Sequence, residues 1–337
     1  WVMRSGSLFL LSIGLLLLAT ITLASESSSC DSNMLLNSAF VFVKPHANTP
    51  ATQKLVTDKL KGAGIEILSE HDIDGNTIDE KKLIDQHYYA IASKATILSA
   101  DKIPVPAAKF EESFGESWEK VLSEDRACNA MEACKRFGCN ADELDEAWGK
   151  SKKVVKFGGG FYCGIVSVKE QPELYVFNAF FMSMRGKFVG DGTSIHCYEV
   201  QWDPAKLSWE DFRNKLLGPT NPAEGPQGSI RRTILETYKE LGLTSEPNKG
   251  DNGVHASASP FEGLAEKTNW LNKKVEDDAF GKALLDGGLK METIDAWSVD
   301  PRIDLPGDEK GSIFDALEDM DVQDCLDKMI EINKLNA

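Results

Sequence analysis

The stretch Asn252-Gly253-Val254-His255-Ala256-Ser257 is where this 337-residue chain, which has five histidines, first suggests chemistry. A substantial neutral fraction of imidazole exists near pH 7. It is a nucleophile that can take a phosphoryl group covalently and split one transfer into two. Taken alone, the stretch reads first as a polar turn. Its rank rises with the company it keeps. Lys44 lies in Phe42-Val43-Lys44-Pro45, Tyr88 in Gln86-His87-Tyr88, Thr220 in Leu217-Gly218-Pro219-Thr220-Asn221-Pro222-Ala223-Glu224, and Arg231 in Gly228-Ser229-Ile230-Arg231. Phosphoryl transfer depends on positive charge and in-line placement, which lysine and arginine supply.

These residues need elements to hold them. Ala39–Val43 is short, apolar and β-branched, the pattern of a buried strand. Thr49 is an expected N-cap with Pro50 at the first helical position, and Leu55, Val56, Leu60 and Ala63 mark the helix face up to a stop at Gly64. Ile65–Leu68 reads as a second strand. Thr77-Ile78-Asp79-Glu80 is a capping-box pattern opening a helix with Leu83, Ile84, Tyr88 and Ile91. Asp72–Asn76 resembles a calcium loop, but its glycine falls fourth instead of sixth, so it reads as a turn. Gly158-Gly159-Gly160 lacks the register and following helix of a phosphate loop and reads as a turn into a strand. Ser194–Val200 alternates like a strand, with His196 a sheet residue. Trp209–Leu217 reads as a helix, Gly218–Gly228 as a long ordered loop, and Phe280–Leu285 and Ile313–Ile332 as helices. With right-handed crossovers this order predicts an α+β fold: a ferredoxin-like βαββαβ core with an antiparallel sheet, interrupted by a mostly helical insertion.

Composition narrows the function. Hydrophobic content of 42% and charged content of 27% suit a globular protein with a sizeable core. A formal net charge of −16 argues against nucleic acid as a partner, since that affinity comes from neutralising phosphates. Any phosphate ligand must be held by a local cluster of cations. The apolar run Leu8–Leu23 after Met3-Arg4, with Ala24 at its end, has the pattern of a cleaved signal peptide, and Trp1-Val2 reads as translated upstream sequence. The expected destination is the secretory pathway, ER lumen or secreted, with membrane anchoring if the run stays uncleaved. Among seven cysteines, Cys128, Cys134 and Cys139 cluster. A disulfide there and buried free thiols are both open; the spacing and the lack of a nearby histidine argue against a metal site.

The quoted motifs together resemble the nucleoside diphosphate kinase family. The loop from Leu217 to Arg231 is the most specific of them. The division that follows is 1–24 signal peptide, 25–38 linker, 39–97 and 172–271 the two parts of the kinase-like domain, 98–171 insertion, and 272–337 an acidic helical C-terminal extension. The resemblance implies a ping-pong transfer of the γ-phosphoryl of a nucleoside triphosphate to His255, then to a nucleoside diphosphate. It implies that Lys44 and Asn252 contact the ribose near the phosphates, that Tyr88 donates towards the γ-phosphate, and that Thr220 and Arg231 hold phosphate oxygens. Glu266 would orient the imidazole, Ser257 would join the nucleotide site, and Tyr175 or Phe177 would cover the base. Mg2+ would arrive on the phosphates, with no protein metal ligands. A homo-oligomer is also among its implications.

The chain departs from the family at three positions. Asn214 stands where the family has an arginine six residues before Thr220; Arg213 and Lys215 flank it and are the expected substitutes, although an adjacent helical residue points about 100° away. Ala256 and Ala258 stand where the family has glycine and aspartate. These departures leave an alternative open, a catalytically weak nucleotide-binding or partner-binding module.

Overall fold

The computed structural model describes residues 34–307 and 309–336. The expected signal peptide, most of the expected linker and Cys30 lie outside them. Ten strands occur among the described residues: β1 (Asn37–Val43), β2 (Glu66–Asp74), β3 (Ala127–Asn129), β4 (Val154–Gly158), β5 (Phe161–Val166), β6 (Leu174–Phe177), β7 (Ser194–Trp202), β8 (Val254–Ala256), β9 (Arg302–Leu305) and β10 (Glu309–Ser312).

The central sheet has the order β2-β7-β1-β8, antiparallel at every step. With the helices Pro50–Gly62 and Ile230–Thr237 as the two crossovers, this is the ferredoxin-like βαββαβ arrangement. β1 is covered on both faces. Ala39, Val41 and Val43 join one core with Val56, Leu60 and Ile234, while Phe40 and Phe42 join another with Ile84, Phe188 and Trp270. That two-sided burial explains its continuous apolar sequence. The period-2 alternation of strands then decides the site. His255 lies opposite Phe42, so its ring points to the Phe40–Phe42 face, while Val254 and Ala256 enter the other core.

Helix Pro50–Gly62 starts as its sequence predicts, with Thr49 accepting from the Thr52 amide at 3.2 Å. Elsewhere the boundaries moved. β2 runs through Asp74, because residues 69–74 keep pairing with β7, and Asp74 rather than a capping box at Thr77 caps the next helix. The helix expected from Thr77 to Ile91 is broken into Gly75–Glu80, Leu83–His87 and Tyr89–Ala92, with Lys82 left-handed at φ +57°. Buried Asp85 holds Arg185 there, and Asn269 donates to the Leu83 carbonyl at 2.9 Å. Tertiary partners thus outweigh the continuous helical pattern.

The insertion between the two halves carries the helices Ala107–Phe114, Trp118–Ser123, Ala130–Phe137 and Ala141–Gly149, as expected. Its short strands β3, β4 and β5 add a second sheet, of order β3-β6-β5-β4, with β6 from just beyond the insertion. Gly159 and Gly160 make the turn between β4 and β5. The six cysteines among the described residues are all free thiols. After the helix Pro260–Leu271, four helices (Ala279–Asp286, Met291–Trp297, Ile313–Leu317 and Val322–Leu335) and the β9–β10 hairpin pack on Phe261 and Leu264. The helix expected over 313–332 is split at Glu318–Asp321, where Asp319 is left-handed at φ +63° and its amide donates to the Ala258 carbonyl at 2.9 Å. No helix among the described residues is long and apolar enough to cross a membrane.

Gly263 lets the helix Pro260–Leu271 lie close on β1, since a Cβ there would sit 2.8 Å from the Ser38 carbonyl oxygen. Gly263→Ala is therefore expected to lower stability by about 1–3 kcal/mol, read by urea unfolding. Unchanged stability would show that this approach has slack.

Candidate functional site

His255 stacks on Phe42 with ring centroids 4.8 Å apart and meets the edge of His87 at 4.7 Å. Its Nε2 lies 2.6 Å from Glu266 Oε1. With Glu266 ionised, Nε2 carries the proton and donates, which leaves Nδ1 as a lone-pair nitrogen without a partner among the described residues. Glu266 is itself held: Ser257 Oγ donates to its Oε2 at 2.5 Å and accepts from the Phe40 amide at 2.9 Å. His87 Nδ1 stands 3.3 Å from Glu266 Oε1. Burial first, then the charges of Lys44, Arg231 and Arg213, keep His255 well below the usual imidazole range. It is therefore neutral at neutral pH, the form that can attack.

Three cations gather near this ring. Lys44 follows β1, where its amide donates to the Gly253 carbonyl at 2.8 Å and its Nζ to the Gly250 carbonyl at 3.2 Å. Burial, then the neighbouring Arg231, lowers it to about 8. Arg231 is buried, donating from Nε to the Val254 carbonyl (3.0 Å) and from Nη1 to the Gly218 carbonyl (2.9 Å). No carboxylate pairs with it among the described residues, and burial followed by Arg213 lowers it to about 10. A buried cation without an ionic partner is costly, and an anionic ligand would relieve that cost. Asn252 is 2% exposed; its Nδ2 donates to the Thr220 carbonyl at 3.1 Å, while its Oδ1 has no partner. It is an acceptor waiting for a donor. Gly253 makes the turn between Asn252 and β8 at φ +90°, and a Cβ there would lie 2.9 Å from Ile234 Cδ1.

Arg213 comes nearer than helical counting allows. Only Trp209–Asp211 is α-helical, and Phe212–Leu217 is a π-helical turn. Such a turn inserts an extra residue into the helix and rotates what precedes it. Arg213 is thereby brought close enough to lower both Arg231 and His255, while Asn214 is exposed. Tyr88 lies edge-on to His87 at 4.5 Å, and burial with the Glu266 and Glu262 charges raises its phenol to about 12. A cavity of about 180 Å3 reaches His255 between Tyr88, Ile91, Glu262 and Phe314. Thr220 is exposed at the loop end.

Two expected contacts are corrected. Ser257 is fully buried against Phe40 and Glu266, so it supports Glu266 and does not face a nucleotide. Phe177 is fully buried in the second sheet's core beside Trp118 and Phe161, and Tyr175 is buried with its hydroxyl donating to Glu116. Neither ring has a free face. An aromatic groove of about 500 Å3 is lined by Trp148, Tyr162 and Phe180, and Ile91 lines both it and the His255 cavity. His87 and Glu262 were missed as site residues. Glu262 sits one helical turn before Glu266 and accepts from the Ala258 amide at 2.7 Å; that i, i+4 spacing was the available signal.

No family model and no curated protein matches this chain. Solved structures similar to it include nucleoside diphosphate kinases from Encephalitozoon cuniculi (12% identity, TM-score 0.34, 70% of this chain and 90% of that one), from Aquifex aeolicus (13%, 0.35, 70% and 94%) and from Pyrobaculum aerophilum (16%, 0.34, 70% and 96%). At such values the likeness carries no chemistry, which has to come from the side chains.

Burial raises both carboxyls near the imidazole, Glu266 to about 7 and Glu262, pushed further by the Glu266 charge, to about 8. A carboxyl raised on folding contributes stability fully below its ordinary value of 4.5 and loses it as pH rises through the folded value. Melting temperature should therefore fall between about pH 5 and 8.5 in the wild type and fall less in Glu262→Gln. Parallel pH profiles for the two proteins would contradict this account.

Proposed function

We propose that the chain is a nucleoside diphosphate kinase-like phosphotransferase. The observation that carries this reading is the buried, carboxylate-free Arg231 beside Lys44 and a neutral His255 with an open Nδ1, in a chain of net charge −16. A cation cluster of this kind, in a protein otherwise strongly negative, suits a polyphosphate. His255 Nδ1 attacks the γ-phosphorus of a nucleoside triphosphate, the bond to the β-phosphate oxygen breaks, and the diphosphate leaves. Glu266 holds the Nε2 proton throughout, so the imidazole keeps its orientation and takes up positive charge beside a carboxylate. The reverse sequence delivers the phosphoryl group to a second diphosphate. Arg231 grips phosphate oxygens with its free Nη2, and the orphan Asn252 Oδ1 accepts from a ribose hydroxyl. Phe180 takes the base-covering role that Phe177 cannot.

Lys44 and Lys187 line a small cavity with Asp251, which is paired with Lys187 at 2.9 Å. In this reading magnesium comes with the nucleotide phosphates, where it would spread their charge. Entry into the secretory pathway is part of the proposal and rests on Leu8–Leu23 alone. A reporter fused behind residues 1–30 that stays in the cytosol would remove that part.

Incubation with γ-labelled nucleotide should label the protein through an acid-labile, base-stable bond. His255→Ala should abolish labelling, and Arg231→Gln should lower exchange by about 100-fold, the scale of losing one preorganised donor. Equal labelling of His255→Ala and wild type would overturn the mechanism. Tight nucleotide binding with no exchange in wild type would favour the weak-module alternative, for which Asn214, Ala258 and the insertion are the motive.

A further inference from the structure

Arg213 is tied to the C-terminal extension. Its Nη1 donates to Glu318 Oε1 at 2.6 Å and to Asp319 Oδ1 at 2.7 Å. Its Nε and Nη2 make no hydrogen bond among the described residues. One nitrogen is thus anchored and two stay open to an anion. The acidic pair sits in the break between helices Ile313–Leu317 and Val322–Leu335, and that break is pinned on several sides. The Asp319 amide donates to the Ala258 carbonyl, three residues past His255. Asp321 Oδ1 accepts from the Trp209 amide at 2.7 Å and from Asn37 Nδ2 at 2.6 Å, and the Val322 amide donates to Asn37 Oδ1 at 2.8 Å. Trp209 opens the helix that carries Arg213, and Asn37 opens β1. The support is therefore built into the same elements as the site, which distinguishes it from a lid.

We propose that Glu318 and Asp319 are positioning residues for Arg213, and that the C-terminal extension is in this way part of the nucleotide site. The proposal rests on the phosphotransferase reading above. A long side chain displaced by one residue from the expected position loses several rotors' worth of freedom when it grips a ligand. Two carboxylates on one nitrogen restrict those rotors in advance, as outer groups do for a preorganised site. They also offset the repulsion between Arg213 and the nearby Arg231 before any phosphate is bound. The opposite arrangement, in which the carboxylates compete with phosphate for Arg213, predicts effects of opposite sign.

The test is a double-mutant cycle on the full chain, with nucleotide exchange as readout. Glu318→Gln/Asp319→Asn should raise KM for the nucleoside triphosphate about tenfold, more than it lowers kcat, the scale of a hydrogen bond to a charged group. In an Arg213→Gln background the same pair should change KM no further, because its effect passes through Arg213. Thermal unfolding of each protein separates this from lost folding. Glu318→Gln alone, at a side chain 49% exposed, gives a variant that folds in any case. An unchanged or lowered KM in the double variant, or an equal KM rise in the Arg213→Gln background, would overturn the positioning role. A wild type that neither binds nor exchanges nucleotide would instead bring down the phosphotransferase reading, and this inference with it.

Discussion

The hydrogen bond between His255 Nε2 and Glu266 Oε1 joins a strand to a helix, and at 2.6 Å it leaves little freedom to either. β8 must pair with β1 in the register that sets His255 opposite Phe42, and the helix Pro260–Leu271 must lie close on the same face. Gly263 allows that closeness, and Ser257 bridges the strand backbone to the carboxylate. A slip of one residue in β8 would send the imidazole into the opposite core. The unpaired Nδ1 and the placing of His87 follow from this contact, while burial and the charges of Lys44, Arg231 and Arg213 keep the ring neutral.

Electrostatics works against the chain's overall charge here. Lys44 and Arg231 are drawn under the sheet edge by backbone carbonyls of Gly250, Val254 and Gly218, which satisfy their donors without neutralising them. Of the carboxyls that come near, Glu262 is raised furthest by burial and by the Glu266 charge, so it adds little negative charge at neutral pH. Glu266 spends its charge on His255 and Ser257. Asp251 and the Glu318–Asp319 pair sit at the periphery, bound to Lys187 and Arg213.

Much of the fold was legible because local and global preferences agree there. β1 is apolar over its length and central in the sheet; helix Pro50–Gly62 has a threonine cap, a proline start and a glycine stop. Disagreement arose where distant residues intervene. The helix after Thr77 breaks because Asp85, Arg185 and Asn269 hold its turns apart. The last helix breaks because Ala258, Asn37 and Trp209 pin residues 319–322. In the middle segment, β3 and β6 pair in parallel across the 44 residues 130–173, a contact that leaves no local period.

The same division runs through the site. The sequence by itself determined which residue types were available and in what order, with Lys44, Tyr88, Thr220, Arg231, Asn252 and His255 each in a recognisable local context. Only the tertiary structure decided their exposure and partners. It buried Phe177 and Ser257, left Phe180 open, set His87 against His255 and turned Arg213 inward through a π-helical turn. The physical reason is that composition and spacing act through neighbours along the chain. Solvent access and hydrogen-bond pairing are settled by elements such as β8 and the segment 318–322, which meet the site only once the chain has folded.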